Sequence, residues 1–572
     1  MSTDNTSSRS WPYPTLGIHY AYVKSGETIA AASSAQGTGS GQIRLTAPNG
    51  TVYTTTVGAT TAGRILNRTQ ELAGPFAGYT PYTQVASGAE EGIWKIEFLP
   101  VISTTELKFD VATPNVAADA AWTQSGSDNT IAAWDVSVSS AGTAGTIISG
   151  RVYATVMDMY VTTQGNYYGK LYVQTNDGYT YKVNNNGQAG AGFVFFANNK
   201  GITNGTDDAA QPSYKSINTT YPVPIWDPGT ADGAQSITHK MFYARPDAGL
   251  PTSASLPGGT STWLKVPKII PTVSSISIDG VEGTSGQVSS KGAYIKFNAS
   301  QAGTFRITLT GSGGFATRTI RGSAVAGNNS VYWNGKDNNG NAPATGTANI
   351  TADIQLQGAE VHFPFFDVES NINGIIIEQL NDDGTVKSDI VYWDDSDASL
   401  NGPNAPSPRN NGNDGAGLSS NSNGHKWGNN YGNEKTMDTW AYVLGEVASQ
   451  NTVLNIRQAD LAVLPFSPNP LVTQVAAGQP ITYNVAVVNN GPSDVEGAPF
   501  KFKVPAGFTI ANLSDITVTT SCGTVNNAAI DASGDYTALL DLPNGCIITF
   551  SITGRPGASL AGGPLAMEAS IM

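Results

Sequence analysis

Oxygen-bearing side chains in two short acidic segments are the residues best suited to chemistry in this sequence. They are Asp367, Glu369 and Asn371 in the first segment, and Asp394, Asp395 and Asp397 in the second. Ca²⁺ takes six to eight oxygen ligands at about 2.3–2.6 Å, so two loops that meet could supply most of a site. The pattern therefore predicts a calcium site, with calcium as the one expected cofactor. The alternative is that Asp367 and Asp394 cap turns while the other side chains face water.

Aromatic side chains in two loops are the candidate ligand-binding residues. Tyr79 and Tyr82 lie in the sequence Gly-Tyr-Thr-Pro-Tyr, and Trp226 lies near the end of the long irregular stretch 197–227. Long ordered loops in compact domains are often functional, and exposed aromatic rings can stack on sugars. The alternative is that the first loop packs on the rim of a β-sandwich.

The sequence lacks the motifs of common hydrolases and nucleotide-binding enzymes. It has four histidines, none in H-E-x-x-H, and it has no G-x-S-x-G elbow and no G-x-x-x-x-G-K-[ST] loop. Carboxylates are numerous enough for glycoside hydrolysis, but the sequence distinguishes no pair. We therefore expect no catalytic residues and a protein that is not an enzyme, with a glycoside hydrolase as the less favoured alternative.

The elements that must position these side chains are predicted to be β-strands. Charged residues make up 13% of the chain, about half the usual quarter, and the 64 Gly and 31 Pro favour many turns. Segment 92–99 alternates, with Trp94, Ile96 and Phe98 on one face, and 349–357 alternates in the same way. The predicted fold class is all-β, a tandem of β-sandwich domains, Ig-like and related, with very little helix.

The length of the chain predicts several domains rather than a single core. We expect an N-terminal β-sandwich (1–145), a Tyr-rich β domain (146–268), an Ig-like domain (269–378), a loop-rich acidic β region (379–457) and a second Ig-like domain (458–572).

Three groups of segments resemble known bacterial proteins. Residues 333–340, WNGKDNNG, with Pro343 and Gly346, resemble the Ig-like hairpin of flagellar hook-capping proteins. Residues 480–508, from PITYNVAVVNNGPSD to FKFKVPAGF, resemble the conserved-repeat family called domain of unknown function eleven, whose members are Ig-like sandwiches of bacterial surface proteins. The segments HFPFFDVE, HKWG and DTW resemble large secreted adhesins of gliding bacteria. These resemblances imply a modular cell-surface adhesin.

Cysteine content and net charge indicate the compartment. Cys522 and Cys546 are the two cysteines of the chain, and we predict a disulfide between them within the C-terminal sandwich, the alternative being two reduced thiols in separate strands. The formal charge of −14 argues against a nucleic-acid partner. No stretch of about 18 apolar residues exists, so we expect no membrane insertion. We expect an extracellular protein at the cell surface.

The function that these patterns favour is non-catalytic adhesion or a structural role in a surface fibre. The Ig-like modules would act as a spacer and the N-terminal regions would bind a cell-surface or glycan ligand. One alternative is a subunit of a polymerised extracellular filament, whose partners would be identical subunits that complete exposed edge strands. Another is a carbohydrate-binding module that uses the Tyr- and Trp-bearing loops.

Overall fold

A computed structural model describes most of the chain, which folds into two compact units. The described residues are 18–34, 42–57, 62–99, 133–159, 166–190, 193–218, 223–281, 286–289, 291–412, 415–560 and 562–572. The first unit comprises the described parts of Met1–Pro271 and Gln357–Leu444, and the second comprises those of Thr272–Leu356 and Gly445–Met572. Strands hold 49% of the residues and helices 4%, which confirms the all-β prediction.

The strands that precede residue 272 are, in chain order, β1 (Ile18–Val23), β2 (Thr28–Ser33), β3 (Gln42–Thr46), β4 (Val52–Thr56), β5 (Tyr82–Val85), β6 (Gly92–Leu99), β7 (Trp134–Ser139), β8 (Val152–Ala154), β9 (Val156–Met159), β10 (Lys170–Gln174), β11 (Thr180–Asn184), β12 (Phe193–Phe196), β13 (Ile217–Asn218), β14 (Lys240–Phe242), β15 (Ser253–Ser255) and β16 (Ser261–Trp263). Helix α1 (Arg68–Ala73) and a 3₁₀ turn (Gly88–Glu90) lie among them.

The strands of the middle of the chain are β17 (Val273–Gly280), β18 (Gln287–Val288), β19 (Ala293–Ala299), β20 (Gly303–Gly311), β21 (Arg318–Ala324), β22 (Gly327–Trp333), β23 (Gly346–His362), β24 (Phe365–Phe366), β25 (Asn371–Leu380), β26 (Val386–Ser388), β27 (Ile390–Val391), β28 (Leu418–Ser419), β29 (His425–Trp427), β30 (Lys435–Met437), β31 (Trp440–Leu444) and β32 (Ala448–Ile456). A 3₁₀ turn (Ala398–Leu400) and helix α2 (Ser420–Asn423) lie among them.

The strands of the C-terminal part are β33 (Leu461–Val463), β34 (Ser467–Pro468), β35 (Ile481–Asn489), β36 (Val495–Lys503), β37 (Phe508–Thr509), β38 (Ile516–Thr519), β39 (Thr524–Ile530), β40 (Tyr536–Leu542), β41 (Ile547–Pro556) and β42 (Glu568–Ile571), with a 3₁₀ turn (Leu513–Asp515) among them.

The first unit is built on one large antiparallel sheet. Its strand order is β26-β25-β11-β10-β14-β8-β1-β6-β3-β4, and β29 also pairs with β25. β1 pairs with β8 through Tyr20 and Tyr153, and β11 pairs with β25 from Thr180 to Asn184. The sheet therefore contains strands from the first, second, third and fourth predicted segments. The predicted domain boundaries rest on local sequence patterns and not on strand pairing, and they remain a prediction.

Two smaller sheets cover the large sheet of the first unit. The sheet β5-β2-β7 packs on β3 and β6 through a core that includes Ile29, Ile43, Trp94 and Val138. The sheet β13-β30-β24-β12-β9 packs on β10, β11 and β25 through a larger aromatic core. In it, the rings of Phe195 and Phe365 stack with their centroids 4.3 Å apart.

The hairpin of β10 and β11 shows how local sequence determines an element here. The turn between them is Asn176-Asp177-Gly178, and Gly178 has a φ of +85°, which residues with a side chain rarely adopt. A Cβ atom at Gly178 would also lie 2.7 Å from the backbone of Pro267 and Lys268. The two strands pair antiparallel, with Lys170 opposite Asn184 and Gln174 opposite Thr180.

The second unit contains two hydrophobic cores. In the first, β17-β19-β22 and β18-β32-β23-β20-β21 pack together, and the predicted inward residues Ile350, Ile354 and Leu356 of β23 are fully buried. In the second, β33-β35-β41-β37 packs on β39-β40-β36-β42, with Val485 and Phe502 fully buried. Strand β18 pairs with β32 in parallel, whereas β23 with β32 and β35 with β41 pair antiparallel.

The predicted disulfide is present in the C-terminal sandwich. Cys522 lies between β38 and β39, Cys546 lies just before β41, and their Cα atoms are 5.6 Å apart. In the described part of the chain, no helix has the length and hydropathy needed to span a membrane.

Candidate functional site

The first acidic segment holds neighbouring chain segments in place. Asp367 has a φ of +51°, and its Oδ1 accepts a hydrogen bond from the N–H of Glu434 at 2.9 Å. Glu369 lies beside Gly190, where an added Cβ atom would be 2.7 Å from its Oε2. Asn371 is fully buried, and its Nδ2 donates to the carbonyl of Asn185 at 3.0 Å.

The side chains of the second acidic segment have separate partners. Asp394 Oδ1 accepts from the N–H of Ser396 at 2.8 Å. Asp397 caps the 3₁₀ turn Ala398–Leu400 by accepting from the N–H of Ser399 at 2.8 Å, and these Ser399 hydrogen bonds lower the pKa of its carboxyl. Asp395 is fully buried, with its Oδ2 2.8 Å from Nε2 of His425. Asp394 and Asp397 thus cap turns, whereas Asp395 belongs to the core.

Calcium at these six residues stays a prediction. Across the described ranges, no three or more His, Cys, Asp or Glu side chains are grouped so that they could share a metal ion. The alternative holds for Asp394, which caps a turn, but it is wrong for Asp395 and Asn371, which are buried and do not face water.

The three predicted ligand-binding aromatic residues lie in different surroundings. Tyr79 is only 8% exposed and packs with Ala32 and Ile65. Burial, and then Asp135, raise the pKa of its hydroxyl. Tyr82 is half-buried on β5, and its hydroxyl donates to the carbonyl of Thr54 at 3.3 Å. Trp226 is also half-buried. Tyr82 and Trp226 are therefore more accessible to a ligand than Tyr79.

A buried histidine network that the sequence did not predict surrounds His425. Its Nε2 is 2.8 Å from Asp395 Oδ2, and its Nδ1 is 2.7 Å from Thr439 Oγ1. Its ring stacks on Trp393 with centroids 4.7 Å apart and meets Trp427 edge-on. β29 supplies the histidine, and the residues just before β31 supply Thr439.

A second buried network surrounds His362 at the end of β23. Its Nδ1 is 2.9 Å from Asp438 Oδ2, and its Nε2 is 2.5 Å from Glu360 Oε1. Burial acts to lower the pKa of His362, but Asp438 and Glu360 outweigh it and raise the pKa to about 10. A Cβ atom at Gly201, whose φ is +58°, would collide with the ring and with Asp438.

Both networks belong to the protein interior. His362, Asp438, His425 and Asp395 are each fully buried. A histidine between carboxylates can exchange protons in principle, but a substrate would need access to it. His362, His425 and Asp438 lie in the HFPFF, HKW and DTW segments, and Asp395 lies in the second acidic segment. Their alternation of polar and aromatic residues within strands was the available signal of a buried polar network.

An uncharged cleft in the C-terminal sandwich is a further feature that the sequence did not predict. It has a volume of about 1250 Å³, and none of the residues that line it is charged. Small-molecule pockets usually measure about 300–1,000 Å³, so this cleft suits a chain segment better. Its apolar lining includes Phe466, Val472, Val475, Leu560, Leu565 and Met567. These come from 463–483 and 556–569, which only the fold brings together.

Comparisons with known proteins do not identify a family. No protein-family model matches the sequence, and no curated protein is similar to it. Among solved structures, a chitinase from Bacillus thuringiensis is 10% identical, with 61% of this chain and 35% of the chitinase covered and a TM-score of 0.10. The chain therefore spans about a third of the length of that chitinase.

Two further solved structures are similar over most of this chain. A protein from Corynebacterium diphtheriae described as membrane-anchored is 7% identical, with 95% of this chain and 92% of that chain covered and a TM-score of 0.15. The alpha-2-macroglobulin of Escherichia coli, activated by porcine elastase, is 8% identical, with 97% and 52% covered and a TM-score of 0.10. At these TM-scores the similarities carry no argument about function.

Proposed function

We propose that this chain is a non-catalytic extracellular protein of the bacterial cell surface that acts in adhesion or in a surface fibre. Its Ig-like modules serve as a spacer, and its N-terminal regions bind a cell-surface or glycan ligand. The observation that carries the proposal is the disulfide Cys522–Cys546 within a tandem of sandwiches. Disulfides persist in oxidising surroundings outside the cytoplasm, and tandem sandwiches suit a spacer.

The burial of the histidine networks supports a non-catalytic role. His362 and His425 each contact a carboxylate, and both histidines are fully buried. Their carboxylates are also engaged in holding strands together. A substrate would have to open the core of the first unit to reach either ring, which would cost much of its packing energy.

Binding by the full chain tests the adhesion proposal. Labelled protein should bind to cell surfaces or to a glycan array, and Tyr82→Ala and Trp226→Ala should each weaken binding about tenfold, or ~1.4 kcal/mol. Tyr332→Ala is the matched control, because Tyr332 is an aromatic residue of β22 that is 53% exposed and lies outside the N-terminal regions. Release of reducing sugar from a glycan, or equal loss of binding in all three variants, would contradict the proposal.

A filament subunit is the second candidate, because both outer strands of one C-terminal sheet are edges. β39 and β42 are the first and last strands in the order β39-β40-β36-β42. Such edges can accept a strand from another subunit. Electron microscopy of the purified full chain separates the two candidates, since a filament subunit gives long fibres and an adhesin gives separate particles.

A further inference from the structure

Two arginine side chains lie side by side on an outer face of the second unit. β20 and β21 pair antiparallel, and Arg306 of β20 lies directly opposite Arg321 of β21. Phe305, Ile307 and Leu309 of β20 are buried in the core, so Arg306, which alternates with them, points outward. Directly opposite residues on one face have Cβ atoms about 4.5–5.5 Å apart. The two guanidinium groups therefore share one patch of surface.

This arrangement places like charges opposite each other, which destabilises a sheet unless an anion compensates for it. Nη2 of Arg306 donates to Oε1 of Gln355 at 3.1 Å, and Gln355 is a neutral amide. Asp353 lies on the same outward face of β23, but it accepts a hydrogen bond from Ser449 of β32. Because β23 lies between β20 and β32, that bond directs the Asp353 carboxylate away from Arg306. Neither contact brings a negative charge to Arg306.

Hydroxyl groups flank the two arginines along the same face. Thr308 lies opposite Thr319 on one side of the pair, and Thr304 lies opposite Ser323 on the other side. A hydroxyl both donates and accepts hydrogen bonds, and the planar guanidinium fork matches an anion with two or more oxygens. β21 is the last strand in the order of its sheet, and Arg306 is exposed, so an anion can approach from solvent.

The charge of this part of the chain differs from that of the rest. Residues 272–356 and 445–457, which form the first core of the second unit and its surface, contain seven Lys and Arg and five Asp and Glu. The whole chain has a formal charge of −14. The local field therefore attracts an anion to this sandwich, whereas the acidic remainder repels it. The positive excess is too small for the basic surface that nucleic-acid binding needs.

We propose that Arg306 and Arg321 form a binding site for an oxyanion, that is, a carboxylate, sulfate or phosphate group. The anion lies between the two guanidinium groups, accepts their N–H donors and contacts the flanking hydroxyl groups. It comes either as a free ion or as the acidic group of a polysaccharide, since both present the same oxygens. The site lies outside the N-terminal regions, so the proposal does not depend on what those regions bind.

Titration with inorganic phosphate tests the site. Calorimetry of the full chain at constant ionic strength should show phosphate binding, and Arg306→Gln and Arg321→Gln should each weaken it about tenfold or more, because each removes charge-assisted hydrogen bonds. Lys336→Gln is the matched control, since Lys336 is an exposed cation in the turn between β22 and β23. No phosphate binding, or binding that neither arginine variant weakens more than the control does, overturns the proposal.

The melting midpoint gives an independent measurement of the same pair. In chloride, Arg306→Gln should leave the midpoint unchanged or raise it, because it removes repulsion between like charges. In phosphate at the same ionic strength, the variant should melt below the wild type, because only the wild type gains stability from the bound anion. A difference between variant and wild type that phosphate does not change overturns the site.

Competition identifies the source of the oxyanion. Polygalacturonate, a polysaccharide that bears carboxylates, should displace phosphate if the site binds an acidic polysaccharide, and should leave phosphate bound if the site takes only a free ion. Either result supports an oxyanion site and assigns its source. Neutral dextran should displace nothing, and displacement by dextran as strong as that by polygalacturonate would overturn recognition through charge.

Discussion

At the residue scale, the four histidines are all buried but have different partners. His362 lies between Glu360 and Asp438, and its pKa is raised to about 10. His239 has no hydrogen-bond partner in the described residues for either ring nitrogen, and burial first, then Lys240 and His362, lower its pKa to about 3. One ring is therefore charged at neutral pH and the other is neutral.

Removal of the charged ring should destabilise the first unit strongly. His362→Gln leaves Asp438 buried without its cationic partner, so we expect a loss of about 3–5 kcal/mol. Because its folded pKa is raised, the stabilisation by His362 is complete below pH 6.5 and is lost as the pH rises through 10. Urea unfolding at pH 6 and pH 10 measures both effects.

His239→Leu is the matched control for this change. It replaces a neutral buried ring whose nitrogens have no hydrogen-bond partner among the described residues, and should be neutral or stabilising. Equal losses in the two variants would show that packing, and not the ion pair, accounts for the effect.

Lys240 should make stability rise with pH, whereas the His362 contribution falls as pH rises. Burial lowers its pKa to about 7, while its Nζ lies 3.5 Å from the centroid of the Trp263 ring. The unfolded chain binds a proton at this lysine up to its ordinary pKa near 10.4. Between those values the unfolded state holds more protons, so this lysine's contribution to stability rises with pH. The melting midpoint of Lys240→Met minus that of the wild type should therefore fall from pH 7 to pH 10. A constant difference would contradict the assigned pKa.

At the element scale, strands with alternating apolar and polar residues, and the turns between them, form as their local sequence predicts. β6 has Trp94, Ile96 and Phe98 fully buried, and the Asp-Gly turn closes the β10–β11 hairpin. The disulfide connects the turn after β38 to the start of β41. It therefore constrains one sandwich and not the whole chain.

Loss of the disulfide should destabilise the C-terminal sandwich alone. The cysteines are 24 positions apart, and closing such a loop contributes about 3–4 kcal/mol in the chain-entropy model. Cys522→Ser with Cys546→Ser should lower the melting midpoint of that sandwich and leave the transition of the first unit in place. Two free thiols found by intact mass after non-reducing purification would contradict the disulfide itself.

The calcium prediction is tested at the loops that carry it. If Asp367 and Asp394 bind calcium, added calcium should raise the melting midpoint, chelator should reverse the rise, and the double variant Asp367→Ala, Asp394→Ala should abolish it. Asp395→Asn serves as a control for core effects, because it should lower the midpoint with or without calcium. A midpoint of the wild type that calcium does not move would show that the acidic segments bind no calcium and serve only as turn caps and core contacts.

At the scale of the whole molecule, strands pair across the boundaries that local sequence patterns suggest. The large sheet of the first unit joins β1 to β8 and β11 to β25, whose paired residues Thr180 and Leu380 are far apart in the chain. Such pairing depends on which faces can be buried together, and loop closure over long separations costs little extra free energy. Domain boundaries placed where the local composition changes therefore cannot reveal this long-range strand pairing.

The amino-acid sequence by itself determined the all-β class, the abundance of turns, the inward faces of β6 and β23, and the disulfide. These follow from period-two alternation, from turn residues and from the presence of two cysteines, which are all properties of short segments. The tertiary structure alone decided the partners of Asp395, the burial of Tyr79 and the cleft beside β42. Each of these depends on contacts between distant segments, and one sequence carries no record of which segments meet.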